Sequence, residues 1–210
     1  AKRGREFDTT VRNGDWESRN TLQGSELFGK NLLLVGFGRI GREVGKRALA
    51  FGMQLHVYDP YVDEQQVGAA GAVYVKDLDT FLPKTDFLSL HLPYTPKNHH
   101  IIGHEELRAL PSSAYVINTA RGGLIDEDEL FKALESGNLA GAGLDCFEQE
   151  PPSSNLKLLN SGKVIVSPHN ASLTAECTRR LGLVCVENVV DALTGCLKKE
   201  RVVNWDAVHA

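Results

Sequence analysis

Little in this 210-residue sequence points away from an ordinary water-exposed globular protein. It has only four cysteines and no C-x-x-C pair. A chain of this length can bury a sufficient core without disulfides, so we expect reduced thiols, no metal site and a cytoplasmic protein. No apolar run approaches the roughly 20 residues of a membrane span, and none follows the basic N-terminus as in a secretory signal. With 23 basic and 27 acidic residues, the charge balance predicts neither a nucleic-acid nor a membrane partner.

Short apolar segments alternate with amphipathic ones from residue 31 onward. Such nearly continuous apolar runs are typical of strands that are buried on both faces of a parallel sheet. The alternation therefore predicts an α/β fold, a Rossmann-like doubly wound parallel sheet. The predicted strands lie at residues 32–35, 54–58, 73–75, 87–90, 115–118, 141–144 and 164–166.

Three parts are predicted along the chain. An N-terminal arm or linker helix occupies residues 1–28, a nucleotide-binding domain residues 29–172, and a C-terminal helix with a tail residues 173–210. The arm is polar and weakly patterned, and Trp16 is a large aromatic side chain in it that needs a packing partner. The C-terminal helix is expected from about Thr174 to Leu193.

Two helices within the predicted domain have clear signals. One is predicted to begin at Asp126, whose side chain caps it, with Glu129 as the return partner of a capping box, and to end near Gly137. The other has an apolar stripe that we expect to face the sheet. The residues on this stripe are Ile40, Val44, Ala48 and Phe51.

Residues 36–41 form the pattern G-x-G-x-x-G between an apolar strand and an amphipathic helix, and Asp59 stands 18 residues after Gly41. Gly36 permits a tight turn, Gly38 lets the backbone approach a pyrophosphate, and Gly41 lets helix and strand pack closely. The helix N-terminus attracts the phosphates. Asp59 can accept hydrogen bonds from ribose hydroxyls and repels a 2′-phosphate. The pattern predicts a dinucleotide site that favours NAD over NADP.

Three further segments follow predicted strands, at the ends where such sheets bind ligands. Arg121 comes just after the strand at 115–118 and can bind a carboxylate through two hydrogen bonds. Glu150 ends an acidic segment, and His169 follows the strand at 164–166, where an imidazole can act as a general acid. Taken singly, each has a plain alternative: a salt-bridged arginine, a solvated acidic loop or a hydrogen-bonded histidine.

Together these segments resemble the D-isomer-specific 2-hydroxyacid dehydrogenase family, over about residues 8–206. Besides the glycine pattern, the resemblance lies in residues 24–30, 91–95, 118–123, 144–151 and 167–169. It implies Arg121, Glu150 and His169 as catalytic residues, with Glu150 chosen over Glu148 because it directly precedes a proline. The cofactor contacts that it implies are Gly36, Gly38, Arg39, Ile40, Gly41, Asp59, Leu90, Pro93, Thr119, Ala120 and Asp145.

The resemblance also implies a reaction, hydride transfer between nicotinamide and a 2-oxo or 2-hydroxy acid of the phosphoglycerate, hydroxypyruvate or glyoxylate type. Arg121 binds the substrate carboxylate and polarises the carbonyl. His169 gives a proton to the developing alkoxide, and Glu150 favours the imidazolium form of His169. We expect a homodimer, because family members pack an arm like residues 8–28 on a partner, with Trp16 and Phe28 as anchors here.

Two departures from the family pattern bear on activity. Asn170 stands where a small apolar residue usually follows the histidine, and its polarity bears on substrate choice. Family members also carry a second domain, built mainly from residues before the matched region, that holds the substrate from the other side. We therefore expect this chain to bind NAD(H) and to turn over poorly by itself.

Other classes of function stay open. Transcriptional corepressors of similar fold keep the same arginine, glutamate and histidine, so an NAD-sensing interaction module is the alternative. A scaffold without a substrate is a third possibility, and it requires that NAD binding fail. Formate-oxidising relatives resemble a pattern with glutamine where Glu150 stands, which argues against that chemistry.

Overall fold

The computed structural model describes residues 1–208, and its contacts divide the chain into two compact units, Ala1–His169 and Asn170–Ala210. The first unit holds a seven-stranded sheet in which all neighbouring strands are parallel. Its strands are β1 Asn31–Val35, β2 Gln54–Tyr58, β3 Val73–Tyr74, β4 Phe87–Leu90, β5 Tyr115–Asn118, β6 Gly141–Leu144 and β7 Val164–Val166.

Helices connect the strands of the first unit and make up most of the second. The α-helices are α1 Gly4–Arg12, α2 Arg39–Ala50, α3 Glu64–Ala69, α4 Leu78–Phe81, α5 His104–Ala109, α6 Glu127–Glu135, α7 Ala175–Leu193 and α8 Trp205–Val208. Short 3₁₀ turns lie at Glu17–Asn20, Leu82–Lys84, Pro96–Asn98, Lys157–Asn160 and Lys199–Arg201.

The strand order is β3-β2-β1-β4-β5-β6-β7. The chain crosses from β3 back over β2 and β1 to place β4, so the order reverses between β1 and β4, and the connections leave these two strands in opposite directions. A crevice for a ligand forms at such a switch point, at the carboxyl ends of the strands. The predicted doubly wound Rossmann-like sheet is confirmed, and each predicted strand is present to within one residue.

Strands β1 and β4 are the most deeply buried part of the sheet. Leu33 and Leu34 on β1 and Leu88 and Leu90 on β4 have no exposed surface. Leu33, Leu88 and Leu90 belong to one apolar cluster, whereas Leu34 belongs to a second one with Phe37. Alternate side chains of β1 thus enter two cores on the two faces of the sheet, which explains the continuous apolar runs in the sequence.

The face that α2 presents to the sheet differs from the predicted stripe. Ile40 and Phe51 are 67% and 63% exposed, so their assignment to a buried stripe was wrong. The buried residues of α2 are instead Gly41, Gly45 and Ala48. A Cβ at Gly45 would lie 2.7 Å from a methyl carbon of Leu55, so the helix backbone packs closely on the sheet at this position, with Val44 and Leu49 partly buried against the second cluster.

Helix α6 begins and ends where the sequence predicts. The side chain of Asp126 accepts a 2.9 Å hydrogen bond from the N–H of Glu129, and Gly137 follows the helix with a φ of 80°. The expected return bond from the Glu129 side chain is wrong. That carboxylate contacts Lys132 and His104 instead, at 2.6 and 2.7 Å, and the N–H of Asp126 donates to the carbonyl of Ile102.

The arm is ordered within the first unit. The Arg19 guanidinium lies 5.2 Å from the ring centre of Trp16, which is 58% exposed. The Phe28 ring covers Gly52, where a Cβ would lie 2.5 Å from it. In the second unit, Thr174 caps α7 by accepting a 3.1 Å hydrogen bond from the N–H of Cys177. No helix in residues 1–208 is long and apolar enough to cross a membrane.

Candidate active site

The glycine pattern lies at the switch point, between the carboxyl ends of β1 and β4. Gly36 has a φ of 99°, and a Cβ there would lie 2.7 Å from the His91 carbonyl group. A Cβ at Gly41 would lie 2.4 Å from the carbonyl oxygen of Gly36. Both glycines are therefore required by backbone packing. Gly38 meets no atom within 4 Å, so open space lies over the middle of the loop.

The N-terminus of α2 points its first turn into this open space. Gly38 is the N-cap residue and offers no side-chain hydrogen bond, so no described side chain caps the first N–H groups. Arg39 and Ile40 are exposed beside it. Uncapped N–H groups at a helix N-terminus, next to a glycine without neighbours, fit the pyrophosphate of a dinucleotide.

Asp59 follows β2 and lies against the glycine loop. It is only 9% exposed, and its two carboxylate oxygens accept hydrogen bonds from the N–H groups of Phe37 and Tyr61, at 2.7 and 2.9 Å. These bonds fix the carboxylate and leave it further lone pairs for other donors. A fixed negative charge beside the loop suits the hydroxyls of a ribose and opposes a phosphate on them.

His91 follows β4 directly and lies under the glycine loop. Its ring is partly buried, and its Nε2 lies 2.9 Å from the hydroxyl of Ser89. Burial lowers the pKa of His91 to about 4, so the ring is neutral at physiological pH. In the sequence, the motif 91–95 indicates only a resemblance to the family. A polar residue immediately after an apolar strand was the signal that could have singled out His91.

Two predicted cofactor residues flank this histidine. Leu90 is fully buried in the core, so only its backbone borders the crevice. Pro93 is exposed, and its carbonyl oxygen accepts a 2.8 Å hydrogen bond from the side chain of Asn98. This bond ties the segment that follows β4 to the next turn of the chain.

The loop after β5 is organised by Asn118, a residue that sequence reasoning did not single out. Its amide oxygen accepts from the N–H of Ala120 at 3.0 Å, and its amide nitrogen donates to the carbonyl of Arg121 at 2.8 Å. Gly122 packs on the Phe147 backbone so closely that a Cβ would overlap it. Thr119 and Arg121 are left exposed at the turn, and Ala120 is buried.

Glu150 and His169 form an ion-pair geometry at the ends of two different segments. Glu150 Oε2 lies 2.8 Å from His169 Nδ1, and Oε1 accepts a 3.0 Å hydrogen bond from the N–H of Phe147. Two hydrogen bonds lower the pKa of Glu150 below its ordinary value. The bond with His169 has the larger effect, and the bond from the N–H of Phe147 has the next largest. With Glu150 ionised, Nδ1 is the donor, and Nε2 remains available to a substrate.

Two buried residues stand beside this pair. Asp145 is 2% exposed and accepts a 2.5 Å hydrogen bond from the Ser167 hydroxyl, which joins the ends of β6 and β7. Cys146 is also 2% exposed, and burial raises the pKa of its thiol to about 11. The charge of Arg121 partly opposes this rise at Cys146 and adds a small part to the lowering of the Glu150 pKa, so the three predicted catalytic residues share one electrostatic environment.

Comparison with known proteins gives this geometry a family. The profile of the D-isomer specific 2-hydroxyacid dehydrogenase NAD-binding domain matches residues 1–171. The chain belongs to this family. The resemblance inferred from the sequence motifs is confirmed, and so is NAD as the cofactor of the domain.

Individual relatives agree with the family assignment. A D-3-phosphoglycerate dehydrogenase of Methanocaldococcus jannaschii is 42% identical over 93% of this chain and 37% of its own length. A hydroxypyruvate reductase of Thermotoga maritima is 44% identical over 88% of this chain and 59% of its own length. The crystal structure of a D-lactate dehydrogenase of Aquifex aeolicus, complexed with NAD and lactic acid, superposes with a TM-score of 0.83 at 33% identity, over 93% of this chain and 62% of that one. The chain thus spans less than two thirds of these relatives.

Proposed function

We propose that this chain is the cofactor-binding and proton-transferring part of an NAD-dependent D-2-hydroxyacid dehydrogenase. The observation that carries the proposal is the 2.8 Å contact between Glu150 and His169, near Arg121 and on the sheet that holds the glycine loop. A carboxylate that orients an imidazole, beside a carboxylate-binding arginine, is the arrangement that reduction of a 2-oxo acid requires.

Each of the three side chains has one task in the proposed reaction. NADH, when bound, supplies a hydride to the carbonyl carbon of the substrate. Arg121 holds the substrate carboxylate and polarises the carbonyl. His169 gives the proton from Nε2 to the oxygen that becomes the hydroxyl, and Glu150 stabilises the imidazolium before that transfer. In the opposite direction, neutral His169 takes the proton back.

The substrate is proposed as a small 2-oxo or 2-hydroxy acid. Relatives that are 36–44% identical carry the names phosphoglycerate dehydrogenase, hydroxypyruvate reductase and glyoxylate reductase. The acids in these names, phosphoglycerate, hydroxypyruvate and glyoxylate, are therefore the first to test. Arg121 and His169 are both exposed, so the carboxylate and the carbonyl of such an acid can reach them from solvent. Neither residue contacts the remaining part of the acid, so neither selects among the three candidates.

The test is NADH oxidation by the protein as its gene encodes it, with glyoxylate, hydroxypyruvate and 3-phosphohydroxypyruvate as substrates. Direct titration of the 210-residue chain with NADH and NADPH measures cofactor binding separately. We expect NADH binding, preference over NADPH and turnover of at least one acid by the gene product. NADH binding without turnover of any 2-oxo acid, together with NADH-dependent capture of a peptide partner, would favour the interaction module.

We also propose a homodimer that forms through the arm. Trp16 and Phe28 are 58% and 76% exposed in the single chain, which is unusual for aromatic side chains of this size. Sedimentation analysis is the measurement, with Trp16→Ala expected to raise the dimer dissociation constant. A monomer at micromolar concentration would contradict the proposal. The cytoplasmic location stays a prediction.

A further inference from the structure

A set of three side chains of different chemistry meets at the proposed catalytic pair. Cys146, Glu150 and His169 each present a potential ligand atom, a thiol sulfur, a carboxylate oxygen and an imidazole nitrogen, and these atoms lie within 4.8 Å of one another. All three residues belong to the first unit of the chain. The proposed dehydrogenase reaction assigns tasks to Glu150 and His169, but it has none for the thiol.

We propose that Cys146, Glu150 and His169 form a binding site for a zinc-class divalent cation. Sulfur, nitrogen and carboxylate oxygen are the ligands that zinc takes in proteins, and three protein ligands with a fourth position open to water form a common zinc geometry. Softer thiolate and imidazole ligands exclude magnesium and calcium, which prefer all-oxygen sites.

The geometry requires only small movements. In tetrahedral coordination, with zinc bonds of about 2.0–2.3 Å, neighbouring ligand atoms stand about 3.5 Å apart. The Glu150 and His169 atoms, now 2.8 Å apart, must separate by less than about 1 Å, and the Cys146 sulfur already lies within 4.8 Å of the other two ligand atoms. Glu150 keeps its second oxygen on the N–H of Phe147, which holds the carboxylate in place while the other oxygen binds the cation.

Binding also balances chemically. The cation exchanges bound water for the three side chains, and the Cys146 thiol releases its proton to solvent as the sulfur–metal bond forms. No oxidant or reductant takes part. The thiol loses its proton only when the metal bond replaces it. Metal binding is therefore reversible, and a chelator can remove the cation.

Occupation of this site inhibits the proposed dehydrogenase, and this consequence rests on the proposed function. A cation on His169 and Glu150 removes the carboxylate from the ring and occupies a ring nitrogen. The imidazolium form then cannot be regenerated, and proton transfer to the substrate oxygen stops. The thiol thereby makes an active site that is sensitive to zinc, whereas valine or another apolar residue at position 146 would leave only two ligands.

The experiment measures metal binding without relying on turnover. Zinc affinity of the chain is measured by competition with a chromogenic chelator, and cobalt(II) replaces zinc to reveal sulfur coordination through thiolate-to-metal charge-transfer absorption. The test variant is Cys146→Val, which keeps an apolar side chain of similar size in the buried position. Cys177→Ser is the matched control, since it removes a thiol from the other unit of the chain.

We expect one zinc ion per chain, a loss of affinity of about tenfold or more in Cys146→Val, and no change in Cys177→Ser. The cobalt charge-transfer band should disappear in Cys146→Val alone. Equal zinc affinity in Cys146→Val, or loss of binding in His104→Ala instead, would overturn the site. Thermal unfolding of each variant shows that the fold is kept.

Turnover separates this proposal from the proposed function. Zinc should inhibit NADH oxidation by the wild-type gene product, a chelator should restore it, and Cys146→Val should resist zinc by about tenfold or more. Zinc binding through Cys146 in a protein that oxidises no NADH would leave the metal site standing and reject the dehydrogenase. Full turnover that zinc inhibits equally in the wild type and in Cys146→Val would support the dehydrogenase and reject the metal site.

Discussion

The carboxylate of Asp59 accepts a 2.7 Å hydrogen bond from the N–H of Phe37, inside the glycine pattern. One residue thus ties the end of β2 to the loop that follows β1. The second oxygen of the Asp59 carboxylate accepts a 2.9 Å hydrogen bond from the N–H of Tyr61. The two bonds together fix the orientation of the carboxylate beside the glycine loop. The structural task and the proposed ribose-binding task fall on the same carboxylate.

Replacing this carboxylate separates the two tasks. Asp59→Asn keeps an oxygen for the N–H of Phe37, but it loses the negative charge and turns an NH₂ toward the N–H of Tyr61, so we expect a small loss of stability and weaker NADH binding. Hydrogen bonds to charged groups contribute about 1.5–3 kcal/mol, so the loss should be about tenfold or more. The preference for NADH over NADPH should narrow. The measurement is the titration of each variant with both cofactors, and an unchanged ratio of the two affinities would contradict the assigned role.

Gly41 and Gly38 offer a matched pair that distinguishes packing from cofactor approach. Gly41→Ala places a Cβ 2.4 Å from the carbonyl oxygen of Gly36, and the backbone must shift, at a cost of about 1–3 kcal/mol in unfolding free energy. Gly38→Ala meets no atom within 4 Å and has an ordinary φ of −71°, so stability should be unchanged. The methyl group instead enters the space proposed for the pyrophosphate.

Denaturant unfolding and NADH titration of both variants check this pair. Gly41→Ala should unfold at lower denaturant concentration, whereas Gly38→Ala should unfold like the wild type and bind NADH about tenfold more weakly or worse. Normal NADH affinity in Gly38→Ala would show that the pyrophosphate does not approach this part of the loop.

Much of the sheet could be predicted because strand burial leaves a direct mark on the sequence. Apart from Asn31 and the buried Ser89, strands β1 and β4 are apolar, so their approximate limits follow from the polar residues on either side. Helix α2 was harder. Its buried face consists of Gly41, Gly45 and Ala48, and an interface made by the smallest side chains has no hydrophobic signal. Ile40 was assigned to the buried stripe because large apolar side chains are usually buried.

Some residues of the candidate site could be predicted from sequence patterns, and others are recognised only from their contacts in the folded chain. Arg121 and His169 were predicted, because each follows a strand in a recognisable motif. Asn118 and Cys146 were not, since their importance depends on neighbours that only the folded chain supplies. The partner of Glu129 was wrongly predicted for a related reason, because His104 lies 25 residues away in sequence and no local rule places it there.

His169 and Glu150 should affect turnover and leave cofactor binding alone. His169→Ala removes the proton donor, so we expect kcat for the gene product to fall about 10²–10⁴-fold. Glu150→Gln retains a hydrogen-bond acceptor but loses the charge, and should reduce kcat less. Because the pKa of Glu150 is lowered, the carboxylate stays ionised at neutral pH and should not limit the rate there. Steady-state kinetics and NADH titration give both quantities, and a large loss of NADH affinity in His169→Ala would overturn its role.

His91 makes the stability of the glycine-loop region depend on pH. Burial lowers its pKa in the folded chain to about 4, below its ordinary value of 6.5. Between these values the unfolded chain binds a proton that the folded chain does not, so stability is complete above pH 6.5 and is lost as the pH falls toward 4. The loss should be on the order of 1–3 kcal/mol.

The check compares unfolding free energies at pH 7 and pH 5 in the wild type and in His91→Asn. Asparagine cannot titrate in this range and retains an amide that can reach the Ser89 hydroxyl, so other groups supply whatever pH dependence remains. The difference between pH 7 and pH 5 should be smaller in His91→Asn. An identical difference in the two proteins would mean that His91 titrates alike in the folded and unfolded chains, and that its burial under the glycine loop does not hold it neutral.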